Sequence, residues 1–473
     1  MSESLLELLR GNEQSGRIPM HMPGHKRNTE RFPSLAALGA GMDITEIEGF
    51  DNLHGAESIL AAAMERAAAL WNSDRTYFLI NGASCGILSG IRALTQRGDT
   101  VLVSRNAHKS VYHAIELCGL RPVFLMPPID EALGVCLSLP PDTIRRALDK
   151  HPEARLLILT SPTYEGVVSD VRAAADEAHS RGIPLLVDEA HGAHFSLHPA
   201  FPTSSVRLGA DITVASLHKT LPSLTQTAVL HVCGPRVDRA RLEHQLAVFE
   251  TSSPSYLLLT SLDECVRMLR ERPEILDEWA ARLSAFDKRL GTPVHLRIPG
   301  HGTPAQALYG AFDYDRSKIF VSSDSMSGYA LAKHLRRRGV EPEMAAPNGV
   351  LLMSGAGDTS DAMQKTADIL READALGNTA GSEFRALPCP LFPEGTPVLD
   401  VLPETALELP WEAVAPEHSA GRTAAEYVWA YPPGIPLLLP GERIPPAFPA
   451  LCAAFSGLHG TRGDPARRVA VLR

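Results

Sequence analysis

Short apolar runs alternate with longer amphipathic segments from about residue 56 onwards. The apolar runs indicate strands at about 77–80, 100–103, 123–126, 156–159, 184–187, 211–217 and 228–232. Segments with helical character lie among them, at about 56–71, 84–95, 110–118, 141–150 and 170–180. Because these strands are apolar on both faces, the pattern predicts an α/β fold with a mostly parallel, seven-stranded type of sheet flanked by helices.

The remaining chain supports a division into several domains. A short helix is expected at 2–10, helices at 240–290, and a mixture of short strands with a basic helix near 330–338. From about residue 380 the composition becomes rich in proline. We predict an N-terminal arm and active-site loop, a large cofactor domain, a small α+β domain and a Pro-rich C-terminal domain, at 1–55, 56–285, 286–378 and 379–473.

Composition narrows the class of protein. The net charge is −10, which argues against a general nucleic-acid binder because phosphates bind to basic surfaces. Seven scattered cysteines without a C-x-x-C pair favour a reducing cytoplasm over a disulfide framework. Acidic residues interrupt the apolar N-terminus, so no signal peptide is expected, and no apolar run has the length of a membrane span.

Polar stretches directly follow five of the predicted strands. In sheets of this kind, ligands bind in the crevice beyond the carboxyl ends of the strands. That rule selects the stretches at 81–86, 104–109, 160–164, 188–194 and 216–219.

Those stretches contain what a phosphorylated pyridine aldehyde requires. Lys219 would form the imine, and Asp188 would keep the ring nitrogen protonated so that the ring accepts electrons. The turn at 82–86 opens a helix whose backbone N–H groups would bind phosphate, and His108 would stack on the ring. Singly, each residue is as well explained as a surface, capping or turn residue; together they predict pyridoxal phosphate.

A metal site is the rival use of the same region. His191 and His194 lie close to Asp188 in the sequence, and His21 and His25 are four residues apart. The chain has no H-E-x-x-H, and a loop-like Gly-Ala pair separates His191 from His194. We therefore expect no metal.

Seven segments carry a more specific resemblance. They are Met22–Lys26, Asp51–His54, Arg105–Ser110, Ser161–Gly166, Asp188–His194, Ser216–Leu221 and Tyr431–Pro436, the last followed by Pro440–Glu442. Nearly the whole chain thus resembles the compact branch of the Orn/Lys/Arg decarboxylase family. That resemblance implies an aspartate-aminotransferase-like fold and a pyridoxal-5'-phosphate cofactor.

The resemblance also implies a role for each candidate residue. Lys219 would be the Schiff-base lysine and Asp188 the partner of the ring nitrogen, with His108 stacked on the ring and His218 beside the lysine as catalytic residues. The further cofactor contacts it implies are Ala83, Ser84, Cys85, Ala190, His191, Ser216 and Ser252. Family members usually carry Ser or Thr in the phosphate loop, so phosphate binding here would depend on Ser84 and backbone N–H groups.

The implied reaction is decarboxylation of arginine, lysine or ornithine in polyamine biosynthesis. Lys219 would need a pKa below its ordinary ~10.4 in order to attack as a free amine. Glu46, Asp51 and Glu417 are candidates for recognising the distal cation, although acids are mostly surface residues. Ser252 belongs to a segment that would reach a partner subunit, which implies a homodimer. Another pyridoxal-phosphate enzyme, such as an aminotransferase or lyase, and a non-catalytic relative remain alternatives.

Overall fold

The structure is a computed structural model that describes residues 4–301, 308, 310–377, 395–430, 434–454 and 457–473. Its helices, numbered along the chain, are α1 (Leu5–Gln14), α2 (Pro33–Ala36), α3 (Ile59–Trp71), α4 (Gly82–Leu94), α5 (Lys109–Cys118), α6 (Pro141–Lys150), α7 (Val171–His179), α8 (Ser205–Leu208), α9 (Leu217–Thr220), α10 (Arg239–Phe249), α11 (Tyr256–Glu271), α12 (Glu274–Leu290), α13 (Gly328–Arg337), α14 (Ser360–Gly377), α15 (Pro403–Glu408) and α16 (Phe448–Ala454).

The strands are numbered in the same way. They are β1 (Arg75–Leu79), β2 (Thr100–Ser104), β3 (Arg121–Leu125), β4 (Ile129–Asp130), β5 (Val135–Cys136), β6 (Ala154–Thr160), β7 (Val167–Val168), β8 (Leu185–Asp188), β9 (Ile212–Ser216), β10 (Ala228–Val232), β11 (Leu296–Arg297), β12 (Asp313–Tyr314), β13 (Lys318–Ser323), β14 (Met344–Ala346), β15 (Gly349–Met353), β16 (Trp411–Val414), β17 (Val428–Ala430), β18 (Ile435–Leu438), β19 (Leu458–Gly460) and β20 (Val469–Leu472).

The chain forms two compact units, and each holds strands of the predicted seven-stranded type of sheet. The first unit runs up to Leu94 and takes in Glu189–Glu278 and Gly355–Gly357. The second comprises Thr95–Asp188, Trp279–Ser354 and the chain from Asp358 onwards.

The first unit contains β1, β10 and β9, which pair antiparallel in that order. Helix α4 packs on this layer so closely that a Cβ on Gly86 would lie 2.6 Å from the Leu79 side chain and 3.0 Å from that of Val214. Only glycine fits without displacing its neighbours at this position. The close approach fixes where α4 begins, and the beginning of α4 is the predicted phosphate loop.

The second unit contains β8, β6, β2 and β3, which are parallel to one another. Strands β2 and β8 are buried along their whole length, as expected of parallel strands covered on both faces. The same unit holds an antiparallel sheet in the order β11-β13-β15-β14 and, towards the C-terminus, the sheets β18-β17-β19 and β16-β20. The last two sheets pack around a common core that includes Val428, Leu438, Phe448 and Val469.

Comparison with the sequence confirms the predicted α/β class and all seven large-sheet strands to within two residues at each end. Two features were not anticipated: β1 and β10 run antiparallel, and the predicted helical stretch at 240–290 is interrupted between α10, α11 and α12. Part of the Pro-rich region, including Pro388, Pro390, Pro393 and the Tyr431–Pro433 segment, lies outside the described residues.

Candidate active site

Lys219 lies in the four-residue helix α9, directly after β9. The strand is buried throughout, and its last residue, Ser216, is 1% exposed. The Nζ of Lys219 is 2.8 Å from Nε2 of His191. The imidazole therefore holds the lysine amine in a defined place at the end of a buried strand.

The segment that begins at Glu189 runs beside β9. The amide of Glu189 donates to the carbonyl of Val214 over 2.9 Å, and the amide of Ser216 donates to the carbonyl of Ala190 over 3.3 Å. These bonds bring Ala190, His191, Ser216 and Lys219 together, as the sequence predicts. The methyl side chain of Ala190 is small enough to leave room for a planar ring beside the lysine.

His218 is oriented by the backbone. Its Nδ1 lies 2.8 Å from the carbonyl oxygen of Thr227, so this nitrogen carries the proton and donates. Burial lowers the pKa of His218, Lys219 lowers it as well, and the Thr227 carbonyl opposes both. The ring is therefore neutral at physiological pH, with Nε2 available as an acceptor.

The predicted phosphate loop is the N-terminus of α4. Gly82 has φ +77°, a conformation that favours glycine, and the helix begins there. Ala83 is half-buried, Ser84 is exposed, and Cys85 is 3% exposed. Burial raises the pKa of Cys85 to about 12, so its side chain is an uncharged core thiol. An anion at this helix end would therefore meet Ser84 and backbone N–H groups.

Two residues that sequence reasoning missed form hydrogen bonds to the backbone of Ile80, just before this loop. The carboxylate of Glu250 accepts from the amide of Ile80 over 2.7 Å, and the side-chain amide of Gln226 donates to the carbonyl of Ile80. Burial raises the pKa of Glu250, while the amides of Ile80 and Asn81 oppose that effect. Both partners are far away in the sequence, which is why no local pattern indicates them.

Glu189 is a third residue that was missed. Its carboxylate accepts from the hydroxyls of Ser204 and Ser205, both over 2.6 Å, and from the amide of Ser205 over 2.7 Å. Its carbonyl accepts from the amide of Gly192 over 2.8 Å. Burial raises the pKa of Glu189 to about 7, against these hydrogen bonds. Glu189 thereby fixes the turn that carries Ala190 and His191.

Asp188, the last residue of β8 in the second unit, is 4% exposed. It pairs in register with Thr160 of β6, and its carbonyl accepts from the amide of Ser161 over 3.0 Å. The carboxylate therefore belongs to the carboxyl edge of the parallel strands, where the crevice rule places it.

His108, in the same unit, is the N-cap residue of α5. Its Nδ1 accepts from the amide of Ser110 over 3.2 Å and lies 2.8 Å from the Ser110 hydroxyl. The ring is half-buried, and these bonds fix its orientation at the end of β2.

Ser252 lies in the connection between α10 and α11 and is exposed. The preceding residue, Thr251, is anchored through its carbonyl, which lies 3.0 Å from Nε2 of His54. The contact of Ser252 with a cofactor phosphate stays a prediction.

The three candidate acids for the substrate's distal cation differ in their surroundings. Asp51 caps the start of α3: its carboxylate accepts from the amides of Glu57, Ser58 and Leu60. Burial opposes ionisation, but these hydrogen bonds outweigh it and lower the pKa of Asp51. Glu417 is exposed, whereas Glu46 has a buried Oε1 for which the described residues supply no hydrogen-bond partner. Of the three acids, Glu46 is therefore the one with a buried carboxylate oxygen that could accept a hydrogen bond from a ligand.

The histidines of the rival metal hypothesis have other partners. His194 is completely buried, lies 3.1 Å from the Thr220 hydroxyl and packs edge-on against Phe201. His25 lies 3.1 Å from the carboxylate of Asp43. Among the described residues there is no group of three or more His, Cys, Asp or Glu that could hold a metal ion.

The residues of the first unit fit pyridoxal phosphate. A half-buried lysine amine, a buried strand end, a small buried side chain beside it and a glycine-initiated helix N-terminus match its aldehyde, ring and phosphate. This architecture and these residues together define a pyridoxal-phosphate enzyme of the aspartate-aminotransferase-like fold.

Comparison with known proteins identifies the family. The model of the Orn/Lys/Arg decarboxylase major domain matches residues 4–286, and that of the C-terminal domain matches residues 404–456. The chain therefore belongs to the Orn/Lys/Arg decarboxylase family, whose members depend on pyridoxal phosphate and decarboxylate basic amino acids.

Individual relatives agree with that assignment. The uncharacterized protein YaaO of Bacillus subtilis is 35% identical, with 93% of this chain and 91% of YaaO covered. The arginine decarboxylase of Halalkalibacterium halodurans is 32% identical over 90% of this chain and 88% of that enzyme. The structure of the constitutive lysine decarboxylase of Escherichia coli superposes with a TM-score of 0.84 at 18% identity, covering 99% of this chain and 82% of that chain, and shows the shared fold.

None of the helices in the described part of the chain is both long and apolar enough to cross a membrane.

Proposed function

We propose that this enzyme decarboxylates L-arginine, releasing CO2 and the corresponding amine. The observation that carries the choice of arginine is the 32–34% identity to arginine decarboxylases of several bacilli over about nine tenths of the chain. The likeness to lysine decarboxylase structures is at or below 20% identity and supports only the fold.

We assign the roles as follows. Lys219 would hold the cofactor covalently, and His191 positions the lysine amine from 2.8 Å. When bound, the cofactor provides an electron sink for the bond to the carboxylate. The carboxylate of Asp188 favours a protonated ring nitrogen, because an anion stabilises a neighbouring cation.

The other residues would contact the cofactor and the substrate. His108 would stack on the ring, Ala190 would pack under it, and Ser216 would lie near the phosphate. Ala83, Ser84 and Cys85 would provide backbone N–H groups for the phosphate. His218 or Lys219 would deliver the proton that replaces the carboxylate on the substrate carbon. Because His218 is held neutral with Nε2 free to accept, it would first take that proton from Lys219 or from solvent. Ser252 completes the phosphate site of a neighbouring subunit.

The wider setting follows from the same assignment. We propose a cytoplasmic homodimer whose amine product enters polyamine biosynthesis, with domains at 1–55, 56–285, 286–378 and 379–473. Five of the six cysteines within the described residues are buried, and scattered cysteines of this kind suit a reducing compartment.

A single comparison tests the substrate. The purified holoenzyme is incubated separately with arginine, lysine and ornithine, and both CO2 and the organic product are measured. The proposal expects the largest kcat/KM for arginine with an amine as product. A larger value for lysine would overturn the choice of substrate, and a keto acid would identify an aminotransferase.

A further inference from the structure

A buried ion pair joins the loop of His108 to the C-terminal region of the chain. Arg105 directly follows β2 and is 0% exposed, and Glu442 is 4% exposed. The Nη2 of Arg105 lies 3.3 Å from Oε2 of Glu442. A buried charge needs specific partners, because a buried charge left unpaired strongly destabilises the fold.

Both terminal nitrogens of the guanidinium also donate to backbone carbonyls of the C-terminal region. Nη1 donates to the carbonyl of Pro436 over 2.6 Å, and Nη2 donates to that of Leu437 over 3.3 Å. The Glu442 carboxylate accepts in turn from the amide of Leu439 over 3.1 Å. Arg105 is therefore bound to strand β18 and to the turn after it by several bonds at once.

The chain on either side of His108 is held in the same way. The amide of Lys109 donates to the carbonyl of Gly434 over 3.0 Å, and the Lys109 ammonium lies 5.2 Å from the ring centroid of Trp429. Contacts to the C-terminal region thus exist three residues before His108 and one residue after it.

The C-terminal region also contacts helix α5, which His108 caps. The Tyr427 hydroxyl donates to the carboxylate of Glu116 over 2.9 Å, and its ring packs edge-on against His113 at 5.7 Å. The hydroxyl of Tyr112 donates to the carbonyl of Arg105 over 2.6 Å, which closes the loop onto its own helix.

We infer that Arg105 and Glu442 are positioning residues for the cofactor site: their buried ion pair lets the C-terminal region hold the His108 ring in the place where it stacks. This inference rests on the proposed stacking role of His108. The ion pair holds the Arg105 end of the His108 loop, and the Lys109 amide holds the other end. If the ion pair served only stability, replacing it would lower stability without acting through His108.

The test measures binding of pyridoxal phosphate to the apoprotein, without substrate, by visible absorbance and induced circular dichroism. Glu442→Gln removes one charge with little change in volume and is expected to weaken cofactor binding about tenfold, equivalent to about 1.4 kcal/mol. Arg443→Gln is the matched control. Arg443 is next to Glu442 in the sequence, but its side chain is 56% exposed and pairs with Asp400, so this variant should bind the cofactor as the wild type does. Tyr112→Phe, a milder change to the same loop, is measured in parallel in case Glu442→Gln does not fold.

A double-mutant cycle decides whether the effect passes through His108. If it does, His108→Ala combined with Glu442→Gln, or with Tyr112→Phe, binds the cofactor no more weakly than His108→Ala alone. Additive losses, or unchanged binding in folded Glu442→Gln and Tyr112→Phe, would overturn the inference. Cofactor binding is read without any amino acid, so an enzyme that binds the cofactor but fails to decarboxylate arginine would contradict the proposed substrate and not this role.

Discussion

Glu189 should make the stability of the protein depend on pH, and Glu189→Gln should remove that dependence. The side chain is 3% exposed, and burial raises its pKa to about 7 from the ordinary 4.5. The folded state therefore binds this proton more tightly than the unfolded state. Stability from this group is present below the unfolded pKa and is lost as pH rises through the folded one. A difference of about 2.5 pKa units at ~1.36 kcal/mol each gives about 3 kcal/mol.

The assay is urea unfolding of the apoprotein at about pH 5 and about pH 8, below and above most of this titration. The wild type should lose about 2.5 kcal/mol more than Glu189→Gln between the two conditions, because pH 5 already lies slightly above the unfolded pKa. Glutamine keeps the volume and can still accept from the amide of Ser205. Glu274→Gln, an exposed acid of the same unit, should follow the wild type. An equal pH dependence in Glu189→Gln and the wild type would refute the reasoning.

Two further substitutions test the supports of the site. Gly86→Ala places a methyl group 2.6 Å from the Leu79 side chain and should cost about 1–3 kcal/mol, seen as a lower thermal midpoint, whereas Gly11→Ala, with nothing within 4 Å, should be neutral or stabilising. Asp51→Asn weakens a cap that includes the amide of Leu60 and should cost about 1–2 kcal/mol of unfolding free energy near neutral pH. Because the pKa of Asp51 is lowered in the fold, that difference should begin to shrink as pH falls below about 4, the ordinary range of an aspartate, and should vanish only below the lowered pKa of the folded state. Unchanged stability with a loss of arginine turnover would instead make Asp51 a substrate ligand.

The sequence was most informative for strands that are buried on both faces of the sheet. Strands such as β2 and β8 are apolar on both faces, so a short run of hydrophobic letters is enough to locate them. Because parallel strands end at one edge, the polar residues that follow them could be grouped before any coordinates were known. The contact of Lys219 with His191 lies within that group.

Sequence reasoning failed where partners are distant or elements are short. Glu189 bonds to Ser204 and Ser205, 15 and 16 residues further along, and nothing in its local pattern distinguishes it from a surface acid. Glu250 reaches Ile80 across 170 residues. Two-residue strands such as β4, β5 and β7 are too short to show a periodicity. The burial of Cys85 likewise depends on how α4 packs, which its own letters do not reveal.

The most direct test of the central claim is Lys219→Ala, compared with Lys150→Ala at an exposed helical lysine. Each protein is purified with added pyridoxal phosphate, dialysed, and examined for visible absorbance and for CO2 release from arginine. We predict that Lys219→Ala loses both signals while Lys150→Ala keeps both. A Lys219→Ala protein that retains the absorbance band of covalently held cofactor would contradict the account.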